Sequence, residues 1–550
     1  MTSAEPDQPD QLPESNAEPV EPPTTKQTSV ARSARIVSIA VMFSRVLGLV
    51  REMVLAQYFG TTAAMAAYNV AFRIPNLLRD LFAEGAMSAA FVPTFTKELA
   101  TGGTAAAFRL ANYVINALLV ITGVAVVLGM AFAEPLVRAF AGGFEDVPGK
   151  LALTVSLTRI MLPFLTFVAL AAAFMGMANA LRHFFVPAVS PAMFNVSSIV
   201  CTVGLMAVVP TFGLPPITAV AIGALVGGFA QWAVQWPLLH REGFRYRPLL
   251  DWRDPGLRRV LLLMGPGTLG LAATQINVFV NTVLATSQEE GAVSWLNLTF
   301  RLMYLPIGLF GVSIATATTP AIARQLALGD RTTVRRTISD GLVLMMMLNV
   351  PATVGLMVLA EPIIRLMYER GAFMPSDTIA AAGALQFYAV GLLGYSVVRI
   401  ASPAFYALGQ SRVPVTVSFI AVLANAALNY VLVHVMGYRG LALGTSIAAL
   451  LNASLLLVML SRTLGGIEGR AIANALVRIA IAAAVMGAAT IGVYGVLVAA
   501  LPSGRLVPQI VRMVVTIGVA LAVLAASAHV LRVPQFAQGV ALISRRLRRR

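Results

Sequence analysis

The chain has 550 residues, of which 58% are hydrophobic and only 12% charged, and its mean hydropathy is +0.80. Soluble domains carry about 25% charged residues, so this chain has too few to cover a water-facing surface, and its bulk must face lipid. The net charge of +16 does not signal nucleic acid, because the basic residues sit largely in short loops between apolar runs, where they set topology. The runs are long and continuous rather than alternating, which excludes a β-barrel. Cys201 is the only cysteine, and His183, His240, His434 and His529 are scattered. Disulfides within the chain and a Cys/His metal centre are therefore excluded, and no metal or other cofactor is expected.

Residues 1–33 are acidic and proline-rich at their start and cannot bury a core. They read as a disordered cytoplasmic tail and lack the apolar run of a signal peptide. Fourteen apolar segments follow, at about 35–58, 63–99, 106–132, 151–181, 184–209, 214–240, 257–286, 292–326, 333–360, 377–408, 413–436, 439–461, 471–500 and 507–532. Each is long enough for a span of about 20 residues. If the N-terminus lies inside, the inward loops carry most of the arginines, including Arg241, Arg245, Arg247, Arg253, Arg258 and Arg259. The positive-inside rule then puts both termini in the cytoplasm.

An internal repeat organises the spans. Glu134-Pro135-Leu136-Val137-Arg138 recurs as Glu361-Pro362-Ile363-Ile364-Arg365, an offset of 227 that also relates Pro93 to Pro320 and Val186-Pro187 to Val413-Pro414. Six spans separate the copies, so the two copies run parallel. The expected architecture is an all-α integral membrane protein of about 14 transmembrane helices. It comprises a six-helix lobe (34–240), a basic cytoplasmic linker (241–256) and a second six-helix lobe (257–461). Two further helices (462–537) and a basic cytoplasmic tail (538–550) complete it. Two parallel lobes around a cleft suit alternating access.

Charges inside spans cost roughly 2.5–3.5 kcal/mol each at a helix centre and mark function. In the first span Ser44, Gly48 and Arg51 share one helix face, and Arg45 and Glu52 the adjacent one. The second span holds Arg73, Pro75, Asn76, Arg79, Asp80, Glu84 and Gly85, and the eighth holds Arg301. Five arginines must face a central wet cavity rather than lipid. Glu52, Asp80 and Glu84 neutralise only part of their charge, and the remainder needs an anion, for which the planar arginine fork is suited. Buried ion pairs that lock the helices together are the competing explanation. There is no Walker motif, nucleophile elbow or catalytic dyad, so a transporter rather than an enzyme is expected.

Ser44-Arg45-Val46-Leu47-Gly48 through Arg51, then Pro75-Asn76-Leu77-Leu78-Arg79, Phe82-Ala83-Glu84-Gly85-Ala86 and Phe91-Val92-Pro93, resembles the MurJ/MviN lipid II flippase family. That family lies within the multidrug/oligosaccharidyl-lipid/polysaccharide exporter superfamily. Gln275-Ile276-Asn277, Val293-Ser294-Trp295, Arg301-Leu302-Met303 and Gly440-Leu441-Ala442-Leu443 extend the likeness over about 34–532. The resemblance implies a bacterial inner-membrane flippase for an undecaprenyl-pyrophosphate-linked peptidoglycan precursor, lipid II. Carried over by position, Arg45, Arg51, Arg79 and Arg301 would contact the pyrophosphate. Ser44, Arg73, Asn76, Glu84 and Gly85 would line the cavity or its gate, and the last two helices would form a groove for the lipid tail. Cell-wall synthesis or division proteins are the partners it implies beyond the lipid and the bilayer.

Several positions depart from the family pattern. Ala66 and Phe300 stand where family members carry acidic residues, and Asp80 where a basic one is common. Family members with a sodium site draw ligands from positions that match Asn281, Asn425, Asn429, Leu441 and Thr445, with Asn281 and Asn429 replacing carboxylates. Without those charges a hard cation loses its usual ligands, so sodium coupling is not expected. Export of another polyprenyl-linked glycan or a drug, and a non-transporting cell-wall scaffold, are the other readings. Charge reversal at Arg79 or Arg301 would spare only the scaffold.

Overall fold

A computed structural model describes residues 24–80, 86–502, 505–533 and 536, and the regular elements among them are all helical. In chain order they are α1 (Thr24–Phe59), α2 (Ala63–Arg79), α3 (Ala86–Thr101), α4 (Gly103–Ala131), α5 (Ala133–Ala141), α6 (Lys150–Met161), α7 (Phe164–Ala180), α8 (Phe185–Leu205), α9 (Thr218–Ala233) and α10 (Trp236–Arg241). After a linker come α11 (Pro255–Thr286), α12 (Ala292–Pro306), α13 (Val312–Ala327), α14 (Arg331–Val358), α15 (Ala360–Tyr368), α16 (Pro375–Ala407), α17 (Arg412–Met436), α18 (Tyr438–Leu464), α19 (Gly469–Ala500) and α20 (Leu506–Val530). α1 starts within the stretch that reads as tail.

Ten stretches among the described residues are long and apolar enough to cross a membrane: α4, α6 with α7, α8, α9 with α10, α14, α16, α17, α18, α19 and α20. The chain is thus a multi-pass membrane protein. The expected second segment comprises α2 and α3, with residues 81–85 between them outside the described ones. The expected eighth segment is not a single helix: a π-helical turn, Ile307–Gly311, separates α12 from α13. Pro306 closes α12; lacking an N–H, it removes a rung of the ladder and favours such a break.

The repeat seen in sequence recurs in the elements. The offset of 227 carries the last residues of α2, α4 and α5 onto those of α12, α14 and α15. In α5 Arg138 bonds Glu134 at 2.9 Å, and in α15 Arg365 bonds Glu361 at 2.7 Å, the same i,i+4 pair twice. The copies differ where Pro163 interrupts α6 and α7; the corresponding residue is Val390, and α16 runs unbroken.

Two contacts close one end of the bundle. The Ala372 amide donates to the Gln57 carbonyl at 2.9 Å. Beside it Asp377, buried, accepts from the Thr61 hydroxyl at 2.5 Å, the Trp295 indole at 3.1 Å and the Met374 amide at 2.9 Å. A Cβ at Gly60 or Gly371, both at positive φ, would collide with the opposing backbone, so the close approach requires glycine there. The linker after α10 is held along α4. Asn116 donates to the carbonyls of Arg247 and Leu249, and Asn112 donates to that of Arg245. α19 packs along α14 and α20 along α19, outside the repeated elements.

Candidate functional site

Among the described residues arginines line two cavities, one of about 300 Å³ and one of about 180 Å³. Arg45, Arg51, Arg301 and Arg399 line the larger, with Glu52 as the single carboxylate among the described residues. Arg73 and Arg301 line the smaller, among Asn277, Asn281, Asn297, Phe300, Tyr388 and Tyr395. Arg301 is the one residue common to both linings.

Glu52 organises the larger cavity. It accepts from Arg51 at 2.7 Å on its own helix and from Arg301 of α12. The Arg51 side chain is only 9% exposed, against 46% for Arg301, and it lies over the Phe194 ring at 5.1 Å. Arg51 is therefore enclosed by protein, while Arg301 keeps an open face. Arg45 packs against Gly308 in the π-helical turn, where any Cβ would strike its guanidinium. Among the described residues neither Arg45 nor Arg399 has an acidic partner. Two cations without an acidic partner among the described residues create a local field that an anion would relieve.

The other expected site residues fall elsewhere. Arg79 pairs with Asp80 at 2.8 Å, and Asp80 also accepts from Gln275 at 3.3 Å; Arg79 lines neither cavity. Arg73 donates to Asn297 at 2.6 Å. Asn76 sits one turn further along α2, its side-chain oxygen without a hydrogen bond. The Ser44 carbonyl accepts from Asn195 at 3.2 Å, and Gly48 faces the same Asn195. Glu84 and Gly85 lie outside the described residues. Arg399 was not singled out in sequence, although Val397-Val398-Arg399-Ile400 carries the signal that marks Arg301, a charge deep in an apolar helix.

The positions matching a sodium site form a closed amide network. Asn277 donates to Asn425 at 2.8 Å and Asn281 to Asn277 at 3.0 Å. Asn429 donates to Asn281 at 2.5 Å and to Asn425 at 3.1 Å, and Asn425 to Thr445 at 3.4 Å. The constant offset of 148 in two of these bonds means that α11 and α17 run parallel here. The oxygens a cation would need are already taken by amide donors, save that of Asn429, which abuts Gly444. A hard cation relies on free, preferably anionic oxygens, so this donor set does not suit one. No His/Cys/Asp/Glu cluster able to hold a metal occurs among the described residues.

An all-helical membrane bundle with an arginine-lined interior has the architecture of a transporter. The comparisons agree. The family model described as lipid II flippase MurJ matches residues 55–511. The probable lipid II flippase MurJ of Vibrio cholerae serotype O1 is 35% identical, over 78% of this chain and 83% of that protein. Among solved structures, a lipid II flippase MurJ in an inward closed conformation superposes with a TM-score of 0.73 at 26% identity, covering 90% of this chain and 99% of that one. An inward-facing multidrug resistance transporter of the MATE family, within the MOP superfamily, shares the fold at a TM-score of 0.66 and 14% identity, covering 78% of this chain and 98% of that one. The chain belongs to the lipid II flippase MurJ family.

Proposed function

We propose that this chain moves lipid II, an undecaprenyl-pyrophosphate-linked peptidoglycan precursor, from the inner to the outer leaflet of the bacterial cytoplasmic membrane by alternating access. The observation that carries this reading is the larger cavity, where among the described residues four arginines face one carboxylate and neither Arg45 nor Arg399 has an acidic partner. Pyrophosphate oxygens match the guanidinium fork in charge and geometry, whereas a cationic drug would be repelled. In this reading Arg45, Arg301 and Arg399 meet the phosphates, and Arg51 holds Glu52 in place. Arg79 joins only if its side chain turns from Asp80 toward the cavity.

In this reading the chain crosses the membrane fourteen times as two six-helix lobes, α1–α10 and α11–α18, with α19 and α20 outside them. The Gln57–Ala372 and Thr61–Asp377 contacts then hold the lobes together at the outward end. Both termini lie in the cytoplasm. Cysteines placed at 287–290 should label only from outside, and cysteines at 241–255 only from the cytoplasm. The function is tested by rescue of a flippase-depleted bacterium with this gene, reading the outward exposure of the lipid-linked precursor. Failure to rescue by a protein that reaches the membrane would reject the reading.

A further inference from the structure

We propose that the outward mouth is shut by two clasps exchanged between the lobes, and that both release in each transport cycle; this rests on the flippase reading above. One clasp is the contact of the loop after α15 with the end of α1. The other is its counterpart in the repeat, the turn after α5 against the end of α11.

The duplication puts the two contacts in corresponding places. The offset of 227 carries Phe59, which ends α1, onto Thr286, which ends α11, and Ala141, which ends α5, onto Tyr368, which ends α15. Gly371, just past α15, lies against the Gln57 carbonyl, and Gly143, just past α5, lies against the Thr286 carbonyl. An added Cβ at either glycine would collide with that backbone, so each approach depends on the missing side chain. The short helices follow their loops. α15 packs on α1 and α5 on α11, where Phe140 meets Phe279 edge-on at 4.7 Å. Each lobe therefore holds the first span of the other.

A buried charge behind each loop is an independent mark of the same pairing. Asp377, in the first turn of α16, and Lys150, the first residue of α6, are also 227 apart, and both are buried. Asp377 accepts from Thr61, just beyond the end of α1, and the Ala372 amide donates to Gln57. Lys150 instead lies over the Phe144 ring at 4.0 Å, beside Gly143. One clasp is fastened by hydrogen bonds and the other by rings: among the described residues no hydrogen bond or ion pair joins α5 or its turn to α11. Parallel repeats related by an axis along the membrane normal make the same contact twice. Rocking of the lobes about an axis in the membrane plane parts both contacts together, so an outward-open state keeps neither.

The test uses the full chain in proteoliposomes, with Cys201→Ser as the parent and two cysteine pairs. The first pair is Gln57→Cys with Ala372→Cys. The second is Gly142→Cys with Ser287→Cys, where Gly142 has open space for a side chain. A short bis-methanethiosulfonate reagent ties each pair and a reductant releases it. Each tied pair should cut flipping of lipid II at least about tenfold, and reductant should restore it to within about twofold of the parent, as expected of a gate. Single cysteines given the same reagent should keep the parent rate. Flipping that continues with either pair tied overturns the two-clasp closure and leaves the flippase reading standing. So does a loss that reductant does not reverse or that a single cysteine reproduces. No flipping by the folded parent overturns both.

Discussion

Glu52 on α1 and Arg301 on α12 are 249 residues apart in sequence and form a salt bridge between the two cavities. Glu52 also holds Arg51, so one carboxylate compensates two guanidinium groups. Glu52→Gln leaves both cations without a counter-charge. Removing one partner of a buried pair costs about 3–5 kcal/mol, and the low end applies because Arg301 is half exposed. A clear fall in the detergent-extracted melting temperature is expected, with partial recovery in Glu52→Gln, Arg301→Gln. An unchanged melting temperature in the single variant would remove this pair from the support of the fold.

The asparagine network makes a contrasting prediction. Because its oxygens are occupied by amide donors, replacing sodium by potassium should leave lipid flipping unchanged. Asn429→Ala should instead act on stability. It removes the only donor to the Asn281 side-chain oxygen, while Asn425 keeps Asn277, and a buried polar group left unsatisfied costs about 1–3 kcal/mol. A steep loss of flipping on sodium removal would refute the first half, and an unaltered melting temperature the second.

The end of α1 provides a conformational prediction. Gly371 has a φ of +60° and lies so close to Gln57 that a Cβ cannot fit. Gly371→Ala therefore strains the backbone and pushes the loop before α16 away from α1. In a Cys201→Ser background, Thr61→Cys should react faster with an impermeant maleimide once Gly371→Ala is added. An unaltered labelling rate would show that the contact does not govern access at this end.

Much of this arrangement was legible in the sequence, and its limits have physical causes. The duplication was readable because proline and the Glu/Arg pair act locally: the i,i+4 bond forms within α5 and α15 whatever surrounds them. Helical spacing separates Ser44, Gly48 and Arg51 from Arg45 and Glu52, but spacing cannot say what each face meets, and Gly48 and Arg51 line the larger cavity beside Arg45 and Glu52. The first face packs against Asn195 and Phe194 of α8, which is why Arg51 is enclosed. The second turns to α12 and the π-helical turn. The break at Ile307–Gly311 depends on Pro306 and on Arg45 arriving over Gly308, a tertiary event. Tyr388 and Tyr395, seven residues apart, carry the spacing of ordinary core aromatics.

The last prediction separates binding arginines from structural ones. Sequence alone treats Arg45, Arg51, Arg79 and Arg301 as equivalent, each expendable for folding. The structure divides them: Arg51 and Arg301 share Glu52, Arg79 holds Asp80, and Arg45 and the unforeseen Arg399 have no acidic partner among the described residues. Arg45→Ala and Arg399→Ala should each weaken substrate binding about tenfold or more, since a charge-assisted contact is worth roughly 1.5–3 kcal/mol. Their melting temperatures should hold or rise, because an uncompensated cation is removed. Lysine should rescue flipping only in part, keeping the charge and losing the fork. Arg51→Ala should instead lower the melting temperature, because it uncovers Glu52 and vacates the Phe194 face. The measurement is flipping per folded molecule beside melting temperature for each variant. If Arg45→Ala and Arg399→Ala unfold while the surviving molecules flip at the wild-type rate, these arginines support the fold and the anion site lies elsewhere.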